Sequence, residues 1–359
     1  MSSESLQDKR RAIREAVLNA IKKRETVVIC GTIAEPREMS VAELFEEEKG
    51  PAIVGWTVPD IFHLNQGVTW GGRNCESIYR VDEQKAQELE PEMIKKSIGG
   101  REISAGGIIW SRSYLVFPYV ESANRWVRAF LTPKLGGDDA LDGLSKNVDP
   151  ADYKARIMSE LNVRIANGLI TYPRTAKYLV QFYDTLSKRE FKGRSLSQYH
   201  KSWYEYIWPR SPLLIRKPKI VCKRLMKSPA FALDNQGFLP TDSVITLIPR
   251  ERFAELKETL RGAINEPVDD EQALLYVLVW LNSDYFKSIL EKKRAKKRGG
   301  YPMVDERMLG RFTIPKPMAK TAEHVRAILT GKAKEVDLKA ILSASKRKRL
   351  ASEQTKLSQ

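Results

Sequence analysis

Pro59 and Asp60, followed by Glu83, Gln84 and Lys85, set two carboxylates and a lysine in the order used by metal-dependent nucleases of PD-(D/E)xK type. In that chemistry the carboxylates hold Mg²⁺ and the lysine supports the attacking water. The pattern is loose, because an acid close to a lysine recurs in any chain with 30% charged residues. The structural alternative has Asp60 ending a strand and Glu83 to Lys85 opening a solvated helix. No other constellation suits catalysis. The histidines, His63, His200 and His324, are far apart, and none stands beside a cysteine ligand pattern. The glycine doublets at 71–72, 99–100 and 106–107 follow no G-x-G-x-x-G, and there is no Walker A loop or nucleophile elbow. The expectation is a chain with no catalytic, cofactor-binding or metal-binding residue of its own.

A different set of residues suits recognition. Thr69, Arg73 and Asn74 sit on a glycine-flanked turn that could enter a groove. Arginine on guanine or asparagine on adenine gives about 1–3 kcal/mol of discrimination each. Arg101, in Gly-Gly-Arg-Glu-Ile, is a second loop candidate. Lys217, Lys219 and Lys223 share odd numbering and so one face of a strand, with Arg224 after them, while Ile220 and Cys222 face the other way. That polar row suits a phosphate backbone, or an ordinary solvated sheet face. Lys293, Arg294, Lys297 and Arg298, in a cluster beginning at Lys292, would add phosphate contacts. Asp234 and Asn282 are assigned to an Asx turn and a helix cap rather than to reading. Trp203 and Tyr204 are assigned to the core.

The charge balance points the same way. Lysine and arginine number 61 against 45 acids in 359 residues, a net charge of +16. Such an excess is an argument about partners, and nucleic acid leads because binding it releases counterions. A membrane surface would ask for a basic amphipathic helix or a lipidation signal. No stretch approaches the roughly 18 apolar residues of a membrane span, and the polar lead Met1–Val17 lacks the apolar core of a signal peptide. Cys30, Cys75 and Cys222 show no paired spacing and read as reduced thiols. A cytoplasmic protein that needs no membrane is the expectation.

These residues must be positioned by elements of both kinds. Residues 4–25 put Leu6, Ile13, Val17 and Ile21 on one face of a helix that could dock a partner. A short strand near residue 27 and a helix stopped by Gly50 follow. From Ile53 to Val120 short strands alternate with glycine turns, Tyr114–Tyr119 being the strongest strand candidate. Residues 133–150 are a glycine- and aspartate-rich loop or insertion, and 151–190 are helical with Pro173 in a first turn. Residues 231–248 read as a hairpin turning at Asn235–Gly237. The stretch from Asp269 reads as a helix with acids in its first turn. The fold class predicted is α+β, divided as a 1–50 lead segment, a 51–250 recognition domain, a 251–342 helical part and a 343–359 disordered tail.

Within this frame, Leu186–Arg189, Trp203-Tyr204-Glu205, Lys217–Ile220, Phe231–Asp234, Leu281-Asn282-Ser283 and the 299–317 segment resemble, in order and spacing, one known family. It is the TaqI-like C-terminal specificity domain of N6-adenine DNA methyltransferases and fused restriction–modification enzymes. The likeness covers roughly residues 51–320, and each motif alone is weak. Ile61–Asn74 resembles the family's glycine-threonine-glycine-x-asparagine loop, although Trp70 follows Thr69. Ile94–Gly107 departs further, with Gly99-Gly100-Arg101 for an arginine-rich form and Glu102 for aspartate. The family's catalytic half carries a glycine-rich S-adenosylmethionine loop and an Asn-Pro-Pro-Tyr-like tetrapeptide, and no Asn-Pro-Pro occurs here. The resemblance therefore implies a non-catalytic DNA-specificity subunit. Its partners would be double-stranded DNA and a separate adenine-N6 methyltransferase subunit that brings S-adenosylmethionine. The alternatives are the Mg²⁺-dependent endonuclease built on Asp60, Glu83 and Lys85, and a stand-alone DNA-binding regulator.

Overall fold

The computed structural model describes residues 53–72, 74–132, 134, 139–145, 153–292 and 301–330. The expected N-terminal helix and strand, the helix stopped by Gly50, much of the 133–150 loop and the basic tail lie outside the described residues. The described chain mixes several small sheets with helices, the α+β class its patterning implies.

One sheet holds the strands Phe231–Asp234, Lys219–Lys223, Val244–Pro249 and Phe62–Gln66 in that order, each antiparallel to its neighbour. Ile220 and Cys222 face a core built with the helices Phe253–Ile264, Asp270–Leu281 and Ala322–Leu329. Asp270–Leu281 is buried from Ala273 to Leu281, as an all-round apolar helix must be. Its start is fixed reciprocally: Gln272 N donates to Asp269 Oδ1 at 2.8 Å, and Asp269 N donates to Gln272 Oε1 at 3.0 Å. Asn282 closes it, accepting from Phe231 N at 3.1 Å and donating to Phe231 O at 3.1 Å. The expected cap is thus also a tie between helix and sheet.

The other face of this sheet is also covered. Val221, Ala232 and Val244 pack with Ile98, Ile103 and Phe238 in a second, smaller layer. That layer corrects the reading of the lysine row. Lys219 lies on the covered face, fully buried, and ion-pairs with Asp234 on the adjacent strand. Alternation places a side chain on one of two faces, and here both are dry.

The segment 231–248 is not a hairpin. Lys219–Lys223 lies between Phe231–Asp234 and Val244–Pro249, and Leu239–Pro240 runs parallel to Ser97–Ile98 in another sheet. Asp234 turns the chain away: its carboxylate accepts from Gln236 N, Gly237 N and Phe238 N at 2.9–3.0 Å. Gly237 takes φ +76°, a conformation that suits glycine. That second sheet orders Leu239–Pro240, Ile94–Ile98, Tyr114–Val116 and Arg80–Val81. Its core takes in helices Tyr153–Ala166 and Pro173–Gln181, with Trp203 and Tyr204 buried as expected.

Candidate nucleic-acid interface

The glycine-flanked turn begins where the chain leaves the first sheet. At Gly67 a Cβ would stand 2.1 Å from Thr241 O, so only glycine passes the Pro240–Thr241 backbone there. Val68 N then donates to Pro240 O at 2.8 Å, and Thr69 exchanges both backbone bonds with Trp208 at 3.0 Å. Gly71 and Gly72 take φ +79° and +83°, and a Cβ on Gly72 would meet Arg189 Cγ and Cys75 Sγ at 3.1 Å.

Arg189 explains why the turn sits where it does. Its buried guanidinium donates to Trp70 O at 2.6 Å, Trp203 O at 2.7 Å and Glu205 O at 2.8 Å. Its Nε donates to Leu186 O at 3.1 Å, and the group lies 5.3 Å from the Tyr79 ring centre. One side chain thereby ties the glycine turn to the helix end and to the Trp-Tyr-Glu segment. A buried cation spent on carbonyls in this way holds backbone in place rather than binding ligand.

Thr69 to Gly72, Glu190 to Lys192 and Asp242 line a cleft of about 300 Å³. On its rim Phe191 and Trp208 meet edge to face at 4.8 Å. Lys192 Nζ lies 5.5 Å from the Phe191 ring and 5.8 Å from Trp208, whose ring also carries the Arg210 guanidinium at 5.0 Å. Trp208 remains 38% exposed. Cations on aromatic faces beside an open cleft are groups that grip a polyanion and stack on bases. Arg210 also donates to Gly67 O at 3.3 Å, which orients it from the turn.

Asp242 sits among arginines. Burial pushes its carboxyl up from the ordinary value; Arg224 and Arg210 oppose that, and Glu76 adds to it. Arg210 is pushed down, first by burial and then by Arg224, against the pull of Asp242. Two guanidiniums thus face the partly desolvated Asp242 carboxylate, and Lys192 and Glu190 stand at the same cleft. Next to it, Arg224 N donates to Ser243 O and Gly100 N donates to Ser243 Oγ, both at 2.9 Å. The turn at 242–243 therefore ties Arg224 and the loop of the exposed Arg101 to the residue next to Asp242, which lines the cleft with Thr69. Beyond Arg224 a smaller cleft of about 180 Å³ is lined by Leu64 to Gln66 and Met303 to Glu306. Elsewhere on the chain Lys227 lies 4.9 Å from the ring of Tyr301, which is 40% exposed.

Of the residues expected from sequence, Thr69 lines the cleft, Arg224 stands beside it and Arg101 is exposed next to Gly100. Lys223 is half-buried at the end of its strand, and Asn74 is exposed on the turn. Lys217 is exposed too, but at the opposite end of the Lys219–Lys223 strand from Arg224. Lys219 is removed from the set by its burial against Asp234. Arg73, Lys293, Arg294, Lys297 and Arg298 lie outside the described residues. Sequence reasoning missed Lys192, Trp208 and Arg210. Trp208 stands in an aromatic run whose other members, Trp203, Tyr204 and Tyr206, are buried, so residue type does not single it out. The Pro209 that follows it is the available signal, since it breaks the run from regular structure.

The nuclease residues are otherwise engaged. Asp60 accepts from Thr57 N at 2.8 Å and Thr57 Oγ1 at 2.6 Å in the first turn of helix Val58–Ile61. Lys85 pairs with Glu88 at 2.5 Å and Glu83 with Arg112 at 3.4 Å. Among the described residues no group of three or more His, Cys, Asp or Glu could hold a metal ion. Nor is any described helix long and apolar enough to cross a membrane.

No known protein family's profile matches the chain, and no curated protein matches it. Among solved structures it is similar to MmeI, a Type IIL restriction–modification enzyme determined in complex with DNA, at 8% identity and a TM-score of 0.32. The match covers 86% of this chain and 36% of that one, so the chain spans little more than a third of the enzyme's length.

Proposed function

We propose that this chain is a non-catalytic DNA-specificity subunit. It binds duplex DNA and directs a separate adenine-N6 methyltransferase, which supplies S-adenosylmethionine, within a restriction–modification or phage-defence system. The observation that carries the DNA part is the cleft rim, where Lys192 and Arg210 lie on the exposed Trp208 ring and Arg224 stands close enough to Arg210 to push it down. The methyltransferase part rests on the order of motifs from Leu186 to Ser283.

In this reading the cations hold phosphates and give affinity without sequence information. Thr69, Asn74 and Arg101 stand on loops fixed by Arg189 and Ser243 and meet base edges in the groove. Fixed loops matter because a reader that must be ordered on binding loses part of its interaction energy to that ordering.

The test is selection from a random duplex pool by the full chain at about 150 mM salt, with and without Mg²⁺. The expected result is a bound pool enriched in a short, adenine-containing motif and left intact. Failure to retain any duplex even at about 50 mM salt overturns the proposal. Cleavage in the Mg²⁺ arm that is lost on Asp60→Ala overturns its non-catalytic part and establishes the nuclease. A methyltransferase that co-purifies with the chain, and ceases to do so when residues 4–25 are deleted, supports the docking role of that segment.

A further inference from the structure

Ile109 is 73% exposed, the most open large apolar side chain among the described residues. The backbone beneath it is held firmly. The strands Ile103–Ser104 and Gly107–Ile108 pair Ile103 with Ile108, and Ile109 N donates to Glu102 O at 2.8 Å. Glu102 is buried, and its carboxylate accepts from Gly99 N at 2.6 Å, Ser111 N at 3.0 Å and Arg80 at 3.1 Å. On the other side Trp110 Nε1 donates to Ser97 O at 3.0 Å, and its ring packs on Phe238 at 5.4 Å. The isoleucine is thus held out on a stiff tip.

What surrounds the tip decides its occupant. Arg101, one residue before Glu102, is exposed, and the Arg112 side chain is 75% exposed with a long 3.4 Å contact to Glu83. Lys96 lies 5.1 Å from the Trp110 ring. An aliphatic tip with Arg101 and Arg112 on the residues flanking its hairpin matches a partner that is anionic outside and apolar between its layers, which describes the base stack of duplex DNA. Proteins that kink DNA insert such aliphatic side chains between base steps and hold the flanking phosphates with arginine and lysine. The loop that precedes the tip is tied to the interface already described, since Gly100 N bonds Ser243 Oγ in the turn beside Arg224.

We propose that Ile109 is a wedge that enters the base stack of bound duplex DNA, with Arg101 and Arg112 on the flanking phosphates, and that it kinks the duplex there. This rests on the DNA-binding reading above and adds a mechanical step to it.

The experiment uses the full chain and a duplex of about 30 base pairs drawn from the bound pool. Energy transfer between labelled ends reads the bend, and 2-aminopurine placed along the site reads local unstacking. Wild type and Ile109→Leu should bend the duplex by an angle in the range of about 20–90° and raise 2-aminopurine fluorescence at one step. Ile109→Ala and Ile109→Ser should still bind with the same salt dependence and lose both signals. The exposed position keeps these variants folded. Equal bending by Ile109→Ala, or wild-type binding to a straight duplex, overturns the wedge and leaves DNA binding standing; the isoleucine would then belong to a protein contact. Absence of any wild-type binding overturns the DNA reading and the wedge with it.

Discussion

A lysine with no exposed surface keeps its charge only if an acid is built in beside it, and Lys219 has Asp234 at the paired register position. Burial still pushes the ammonium down from its ordinary value, with Asp234 opposing. Removing one member of such a pair strands the other, at about 3–5 kcal/mol. Lys219→Met should therefore lower stability by that amount in urea titration and leave the salt dependence of DNA binding unchanged. Arg210→Ala and Arg224→Ala should do the reverse. Each should weaken binding to all duplexes alike and reduce the slope of log affinity against log salt by about 1. An equal slope in wild type and both variants would remove these arginines from the interface. At this scale the sequence was informative about chemistry and poor about exposure. The Asx turn at Asp234 and the cap at Asn282 were legible, because short polar side chains in turn and cap contexts bond their own backbone. The fate of Lys219 was not, because the layer over its face includes Ile98 and Ile103, far away in the chain, as well as Phe238.

Elements that position the interface depend on a few backbone settings. Gly72 lies in the left-handed region, with Arg189 and Cys75 against the place of a Cβ. Gly72→Ala should cost more than about 1 kcal/mol and should weaken DNA binding by displacing Arg189 from Trp70 O. Gly193→Ala has φ +74° with nothing within 4 Å, so it bears backbone strain alone and is the matched control. The helix Pro173–Gln181 is started by a distant side chain: Glu90 accepts from Arg174 N at 2.7 Å and Thr175 N at 2.8 Å. Burial pushes the Glu90 carboxyl up, but the Thr175 hydroxyl and the two amides together hold it below its ordinary 4.5. A folded-state value below the unfolded one means that the stabilisation is present above about pH 4.5 and is lost as pH falls through the folded value. Glu90→Gln should cost about 1 kcal/mol at neutral pH, and the gap between variant and wild type should close under acid, as followed by denaturant titration at several pH values. Local elements like this helix were legible from periodicity and Pro173. Strand partners were not: Phe231–Asp234 and Val244–Pro249 flank an upstream strand, and Leu239–Pro240 leaves for another sheet, a choice no local pattern encodes.

At the scale of the molecule, two main cores are woven from the same chain. One draws on residues 56–62, on 220–247 and on the helices between Phe253 and Leu329, and the other on residues 68–214 with Leu239 and Ile248. The change from β-rich to helical patterning near residue 250 is visible in the sequence, yet the helices after it cover the sheet before it. Cutting there strips cover from Ile220, Cys222, Phe231, Leu233 and Leu247. Each large apolar side chain returned to water forfeits about 1.5–3 kcal/mol, so the group together rivals the roughly 5–15 kcal/mol that holds a whole domain folded. The strand Phe62–Gln66 belongs to that same sheet and leads directly into the turn at Gly67–Gly72, so losing the sheet also loosens the cleft. Residues 1–250 expressed alone keep the second core and its aromatic pairs, so they should retain part of the near-ultraviolet circular dichroism but unfold at lower urea than the full chain, and should bind DNA only loosely and without selection. An unchanged urea midpoint and an enriched bound pool from that fragment would show instead that the helices are an appendage to a recognition unit complete without them.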